Sequence, residues 1–355
     1  PLPTGVAGTA MFISSLNWSA FGISIASYLG DLIPVLKDHQ LITAALALLV
    51  FFIIGYIGTE AFTKVLNAMG ILKFVALGLF IVFGITKVQA GGFDGELYFY
   101  GGGMNFLTAI ALMSFACGGA TKIMNVQAMA ENPKKDIPKA WLIAQLIVVV
   151  VYALLGYVAS GVAPYSVVAG QNLGFIAEMI MPAGLAAFFI IGGALFSLST
   201  SLLSSIHPDD HHGHGGGRLA AKFFGKKLNV FVVLYIINAV PILLGFSLDD
   251  IISMCLACTM IVTAVKNYRG MKLPEMYPEE WENCSIKVSK GLFKTLLAIS
   301  IVTSIMTSLF SLRNLTLPLA IGSVVMTIIV FTYPYLRMKS GKVKIVSTAD
   351  MSAAK

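Results

Sequence analysis

Apolar segments of about 20 residues recur along the chain, and they constrain its fold more than any other feature of the sequence. An α-helix needs about 20 mostly apolar residues to cross the hydrocarbon core of a bilayer. We therefore predict an all-α polytopic membrane protein with about ten transmembrane helices. The predicted spans are 6–33, 41–58, 65–86, 104–130, 140–162, 175–205, 229–245, 248–265, 291–310 and 316–338.

The charged residues support this interpretation. They make up 12% of the chain, whereas soluble domains average about 25%. The formal net charge of +7 would suggest nucleic-acid binding in a soluble protein. Here the basic residues fall in short connectors between apolar runs, which is typical of membrane topology. We therefore expect the lipid bilayer, and not a nucleic acid, as a partner.

The basic residues also predict an orientation. If the first span runs outward, one side of the membrane carries the lysine-rich connector at 130–140 and the C-terminal tail. The opposite side carries only Lys37, Lys87 and Arg313 as lysines or arginines. Because basic connectors stay in the cytoplasm, we predict a multi-pass protein of the plasma (inner) membrane with a cytoplasmic C-terminus. We expect one transmembrane domain over residues 1–345 and a cytoplasmic tail over residues 346–355.

The fourth predicted span is interrupted near its midpoint by the sequence SFACGGATK at 114–122. Two adjacent glycines, Gly118 and Gly119, weaken a helix and permit unwinding. Unwound backbone at membrane depth is tolerated where it lines a cavity or is covered by protein, and many secondary transporters bind substrate at such a break. The alternative is close packing of two helices at the glycines.

A cytoplasmic connector, AENPKKDIPKA at 130–140, follows the break. Break and connector together resemble the amino acid permeases of the amino acid–polyamine–organocation (APC) superfamily. In that family, an aromatic residue, a small residue and an unwound glycine on the sixth helix precede a connector of the type E-x-x-N-P-x-x-x-I-P. The matching positions are Phe115, Ala116, Gly119, Asn132, Pro133, Ile137 and Pro138.

Two further runs extend the resemblance: 63–84 resembles the family's fifth helix, and 194–205 resembles its eighth. The resemblance implies the inverted-repeat fold of five plus five helices, also described as leucine-transporter-like. On this expectation the ten spans correspond to helices 3–12 of the family. The chain would then be N-terminally truncated, without the first two helices and without the glycine-rich loop that receives the substrate carboxylate.

The resemblance also implies a substrate site at the break, where backbone carbonyls would take the substrate ammonium and Phe115 would act as an aromatic gate. Lys122 and Glu131 are further gating candidates. Thr121 and Met129 stand where the family often has acidic residues, which affects the expected cytoplasmic gate. The predicted substrate-binding residues are Ser114, Phe115, Ala116, Cys117, Gly118 and Gly119.

Lys73 lies inside the third predicted span, with no other charged residue between Lys64 and Lys87. A charge within a span is costly and is by default a functional hypothesis. By resemblance, Lys73 is a proton-coupling residue at the place where sodium-coupled relatives bind a cation; the alternative is a side chain that extends to the cytoplasmic surface. Ser199 and Thr200 match hydroxyls that hold sodium in those relatives, or they bond their own helix.

These features predict a secondary active transporter that takes up an amino acid or related amine by alternating access. The coupling ion is expected to be H⁺, with Na⁺ as the alternative. We expect no cofactor and no resident metal, and no sequence pattern indicates an enzyme. Two other interpretations stay open. The segment HPDDHHGHGGGR at 207–218 has ligands for Zn²⁺ or Ni²⁺ in a metal-handling transporter, and the missing helices would suit a transport-inactive fragment.

Overall fold

The computed structural model describes residues 15–57, 63–89, 102–119, 130–206, 227–284 and 287–340. Within these ranges the regular elements are helices, and no strand occurs. The helices of eight residues or more are α1 (Asn17–Leu32), α2 (Gln40–Ile57), α3 (Thr63–Ile85), α4 (Gly102–Cys117), α5 (Pro133–Gly161), α6 (Leu173–Ile180), α7 (Ala183–Ile206), α8 (Lys227–Leu243), α9 (Leu248–Gly270), α10 (Lys290–Arg313) and α11 (Leu317–Lys339).

Several of these helices have the length and composition of membrane spans. Large apolar side chains on them, such as Ile71, Val82 and Leu146, are more than 60% exposed, as expected of a surface that faces lipid. The prediction of an all-α polytopic membrane protein is confirmed. Six described helices can cross a bilayer, namely Pro34–Ile57, Val65–Ile85, Lys135–Gly161, Ala183–Ile206, Leu248–Gly270 and Lys290–Arg313, and shorter apolar helices are Gly102–Cys117, Phe231–Leu243 and Leu317–Tyr333.

The sixth predicted span, 175–205, is divided in the structure. α6 ends at Ile180, and Pro182 is the N-cap of α7. Proline has no amide hydrogen to continue a helix, so the chain restarts there. The middle of α7, Phe189–Leu195, is π-helical. Short π-helical segments occur within α-helices and are frequent at functional sites.

The contacts divide the chain into two compact units, and the larger unit is Leu16–Ile252. One of its cores lies between α3, α5, α6 and α7, where the rings of Phe80 and Phe189 stack with centroids 4.6 Å apart. A buried polar contact joins α1 to α8. The Ser19 hydroxyl donates to the Asn238 carbonyl oxygen (2.7 Å), and the Ser19 amide donates to Asn238 Oδ1 (3.2 Å). Such satisfied polar contacts fix helix positions in an apolar interior.

The smaller unit contains the described residues from Ser253 onward. Polar side chains connect α9 and α10 along their length. Asn314 Nδ2 donates to Ser253 Oγ (3.1 Å), and Ser308 Oγ donates to the Ala257 carbonyl oxygen (2.8 Å). As the residue numbers rise on α9 they fall on α10, so the two helices are antiparallel. Interhelical hydrogen bonds of this kind contribute to helix association in membranes.

Candidate functional site

The helix with the predicted break ends where the glycines begin. α4 stops at Cys117, and Gly118 and Gly119 follow in a 3₁₀ turn. A Cβ added at either glycine would meet no described atom within 4 Å. Close packing against the described helices therefore does not explain this pair. Residues 120–129, including Lys122, lie outside the described residues.

The predicted substrate-binding residues occupy the last turn of α4 and the 3₁₀ turn after it. Ser114, Phe115 and Cys117 are half-buried, while Ala116 and the two glycines are exposed. The Ser114 hydroxyl donates to the Ala111 carbonyl oxygen at 2.6 Å. After Cys117 the α-helical hydrogen-bond pattern gives way to the 3₁₀ turn at Gly118 and Gly119. The C-terminal end of a helix also carries a partial negative charge, which attracts cations.

The connector after the break starts the next helix as its sequence predicts. Pro133 is the first residue of α5, and Asn132 is its N-cap. Asp136, in the first turn, accepts a hydrogen bond from the Asn132 amide at 3.0 Å. A carboxylate in this place satisfies an amide and opposes the positive end of the helix. Glu131, a predicted gating residue, is exposed just before this cap.

Lys73 is half-buried on α3, and its Nζ lies 5.7 Å from the centroid of the Phe74 ring. Among the described residues, no acidic side chain forms an ion pair with it. Ala76 and Phe80 follow on the same face of α3, since residues three and four apart share a face. This face is directed to α7, because Phe80 stacks on Phe189.

The contact between α3 and α7 shows which part of α7 lies at the same height along the helices as Lys73. A Cβ added at Gly193 would lie 3.4 Å from the Ala76 Cβ, and Phe80 meets Phe189. Rising numbers on α3 therefore meet falling numbers on α7, and the two helices are antiparallel. One turn before Ala76, Lys73 stands level with the part of α7 that follows Leu195. This part carries the predicted coupling residues Ser199 and Thr200.

Several hydroxyls of α7 bond to their own helix. Thr200 Oγ1 donates to the Phe196 carbonyl oxygen (2.9 Å), and Ser205 Oγ donates to the Ser201 carbonyl oxygen (2.7 Å). Ser199 is half-buried. Thr200 therefore fits the alternative in which the hydroxyl bonds its own helix, although a hydroxyl that donates one bond keeps two acceptor lone pairs. α4, with the break, packs mainly on α5, so the described contacts do not gather the break and Lys73 into one cluster.

A polar cluster that the sequence analysis missed joins α1 to α6. Asn172 Nδ2 donates to Asp31 Oδ2 (2.7 Å) and to Ser27 Oγ (3.0 Å), and Asn172 Oδ1 accepts from the Phe175 amide as the N-cap of α6. Lys37 forms an ion pair with Asp31 at 3.2 Å. The available signal was Asp31, an acidic residue at the end of an apolar run.

A metal site does not emerge from the described ranges, which contain no group of three or more His, Cys, Asp or Glu side chains able to hold an ion. The His-rich segment at 207–218 lies outside the described residues.

The sequence model of the amino acid permease family matches residues 3–207. This match extends over more than half of the 355 residues and includes α1 to α7. The chain belongs to the amino acid permease family. The resemblance to APC amino acid permeases is thereby confirmed.

Individual relatives point the same way. An uncharacterized protein of Methanocaldococcus jannaschii is 26% identical over 275 residues, which is 70% of this chain and 61% of the relative. The branched-chain amino acid permease BcaP of Bacillus subtilis is 25% identical over 44% of this chain and 36% of its own length. BcaP of Lactococcus lactis is 25% identical over 51% of this chain and 43% of its own length. The chain therefore spans less than two thirds of each of these relatives, and the two named ones are permeases rather than enzymes.

Proposed function

We propose that the protein is a secondary transporter that carries an amino acid or related amine across the plasma (inner) membrane by alternating access. The observation that supports this most is the end of α4 at Cys117 within an apolar stretch of a permease-family chain. The carbonyls at such a helix end carry a partial negative charge and would offer a site for the substrate ammonium. Ser114, Phe115, Ala116 and Cys117 supply these carbonyls, and Gly118 and Gly119 permit the turn.

In this proposal, Phe115 covers the substrate, and Lys122 and Glu131 belong to the gate on the cytoplasmic side. The basic connectors support the orientation, with the C-terminus in the cytoplasm. Rocking of one group of helices against another around the break would expose the site to each side in turn.

Lys73 is the proposed proton-coupling residue. Three observations support this role. Lys73 is half-buried, it forms no ion pair with a described acidic side chain, and it stands level with the part of α7 that follows Leu195 and carries Ser199 and Thr200. An ammonium there would occupy the place of a coupling cation and would exchange a proton during the cycle. Na⁺ held by Ser199 and Thr200 is the alternative, because their oxygens keep acceptor capacity.

Uptake by the full-length protein in liposomes tests the function. A panel of radiolabelled neutral, acidic and basic amino acids is offered with an imposed pH gradient, with a Na⁺ gradient, and with neither. We expect concentrative uptake of at least one amino acid under the pH gradient. Concentrative uptake under the Na⁺ gradient alone would replace H⁺ by Na⁺ as the coupling ion, and uptake of no amino acid under any gradient would refute the proposed function.

A further inference from the structure

A cavity of about 620 Å³ lies in the larger unit. Its walls come from α1, the start of α2, the residues just before and at the start of α6, and the connection between α8 and α9. Small-molecule sites in proteins commonly have volumes of roughly 300–1,000 Å³. The cavity is a different feature from the break in α4, because none of the predicted site residues lines it.

The lining of the cavity combines apolar side chains with polar groups that carry no charge. No lining residue has an ionised side chain at neutral pH. Hydroxyl and amide groups both donate and accept hydrogen bonds, so this surface can bind the ammonium and the carboxylate of one zwitterion. A solute with a net charge would find no opposite charge in the lining. The polar side chains that α1, α2 and the residues before α6 contribute are Ser24, Ser27, Tyr28, Gln40, Gln171 and Asn172.

Contacts inside the protein hold part of this lining in place. Asn172 caps α6 through Oδ1 and donates from Nδ2 to Ser27 and Asp31. The Asp31 side chain is only 11% exposed and pairs with Lys37, so the charge behind the wall is balanced. In the connection between α8 and α9, Ser247 bonds with Asp250 at the start of α9. Groups that are fixed before binding reduce the ordering cost of binding a ligand.

We propose that this cavity is a second binding site, and that it holds a small zwitterionic amino acid with no net charge. The proposal rests on the proposed amino acid transport and adds an outer site, which receives the substrate before the substrate reaches the break in α4. Lys37 lies on the membrane side that is poor in basic residues, which is the side from which uptake starts in the predicted orientation.

Binding stoichiometry tests the second site. The probes are radiolabelled L-leucine and L-serine, applied by equilibrium dialysis to the full-length protein in detergent. We expect the wild type to bind two molecules of a transported probe per chain. Ser24→Phe places a ring in the cavity and should bind one. Ser160→Phe is the matched control, because Ser160 is exposed on α5 and does not line the cavity; it should bind two.

A milder variant keeps the test decisive if Ser24→Phe does not fold. Gln171 is exposed, and its loss removes a hydrogen-bonding group without touching the core. Gln171→Ala should weaken the second binding event by about three- to tenfold, the loss of one hydrogen bond, and leave the first unchanged. An unchanged second affinity would count against the site.

The outcomes separate this inference from the proposed function. Uptake of a probe with only one bound molecule per wild-type chain overturns the second site and leaves transport standing. Two molecules bound to Ser24→Phe also overturns it. If neither probe binds and no amino acid is taken up, both the site and the transport function fail.

Discussion

Two pairs of adjacent glycines in the larger unit have opposite surroundings. A Cβ at Gly118 or Gly119, after the end of α4, would meet no described atom within 4 Å. Gly192 and Gly193 are buried in the π-helical part of α7, against Ala76 of α3. The first pair permits the backbone to leave the helical path, and the second permits two helices to approach closely. The same dipeptide therefore has two roles, which only its neighbours distinguish.

The largest effect on function is expected at Gly118 and Gly119, the open pair, where an added Cβ would meet no described atom. Gly119→Leu replaces a poor helix former by a good one, a difference of about 1 kcal/mol in favour of continuing α4. The side chain has space among the described residues, so folding should be preserved. We expect uptake to fall by more than about tenfold, a loss of 1.4 kcal/mol to which the continued helix and the added side chain at the proposed site both contribute, with an unchanged melting temperature.

A matched control is available on α5. Gly156 also has no described neighbour within 4 Å of an added Cβ, but it lies inside a continuous helix. Gly156→Leu should leave uptake near that of the wild type. Equal uptake by Gly119→Leu and Gly156→Leu would show that uptake does not require glycine at position 119.

The next effect concerns Lys73, one turn before Ala76, the residue of α3 that lies against Gly192 and Gly193. Lys73→Ala removes a side chain that can bind and release a proton. We expect concentrative uptake under a pH gradient to be lost, while exchange of substrate across equal concentrations continues. Lys87→Ala, which changes an exposed lysine beyond α3, serves as the control. Uphill accumulation by Lys73→Ala at the wild-type level would exclude Lys73 as the coupling residue.

The packed pair predicts an effect on stability rather than on coupling. A Cβ at Gly193 would lie 3.1 Å from the Phe189 ring, which stacks on Phe80 and has little freedom to move. A Cβ at Gly192 would make ordinary contacts at 3.5–3.6 Å. We expect Gly193→Ala to be less stable than Gly192→Ala by about 1 kcal/mol, at the lower end of the cost of overpacking.

Thermal unfolding in detergent measures this difference. Because both variants gain the same helix propensity, their comparison isolates the contact with α3 and Phe189. Equal melting temperatures would show that the Phe189 ring yields to the added methyl group, and that the close approach of α3 and α7 does not depend on glycine at this position.

The sequence predicts local features of this molecule well. Hydropathy locates the long helices because a bilayer demands about 20 apolar residues in each. The end of α4 at Cys117 agrees with the glycines that follow it, since glycine acts on its own backbone. The N-cap of α5 at Asn132 and Pro133 is equally local. Helix ends of this kind depend on a few consecutive residues, so the sequence contains their cause.

Features that depend on distant contacts were not predictable in this way. The role of Gly193 requires Ala76 of α3 as a neighbour, and the link from Asn172 to Asp31 joins residues 141 positions apart. The π-helical segment in α7 likewise has no signal in hydropathy. Because packing between helices decides these features, the cavity beside Asn172 becomes visible only when the helices are in place. The residues proposed to bind substrate and ion stay predictions for the same reason.

The smallest effect is expected where neither backbone path nor packing is involved. Glu275, in the exposed connector between α9 and α10, accepts a hydrogen bond from Lys294 at 2.7 Å. This bond, together with the charge of Lys294, lowers the pKa of the Glu275 carboxyl. A lowered pKa in the folded state contributes stability at neutral pH, and this contribution is lost as the pH falls below the ordinary value of 4.5. Since both side chains are largely exposed, solvent screens the pair and the contribution is small.

Glu275→Gln should therefore lower the melting temperature slightly at pH 7 and not at pH 3. Glu279→Gln, which changes an exposed carboxylate in the same connector, is the control and should lower the melting temperature less at pH 7. If Glu275→Gln lowered the melting temperature at pH 7 more than Gly193→Ala does, the ion pair in the connector would contribute more to stability than the close contact between α3 and α7, contrary to this prediction.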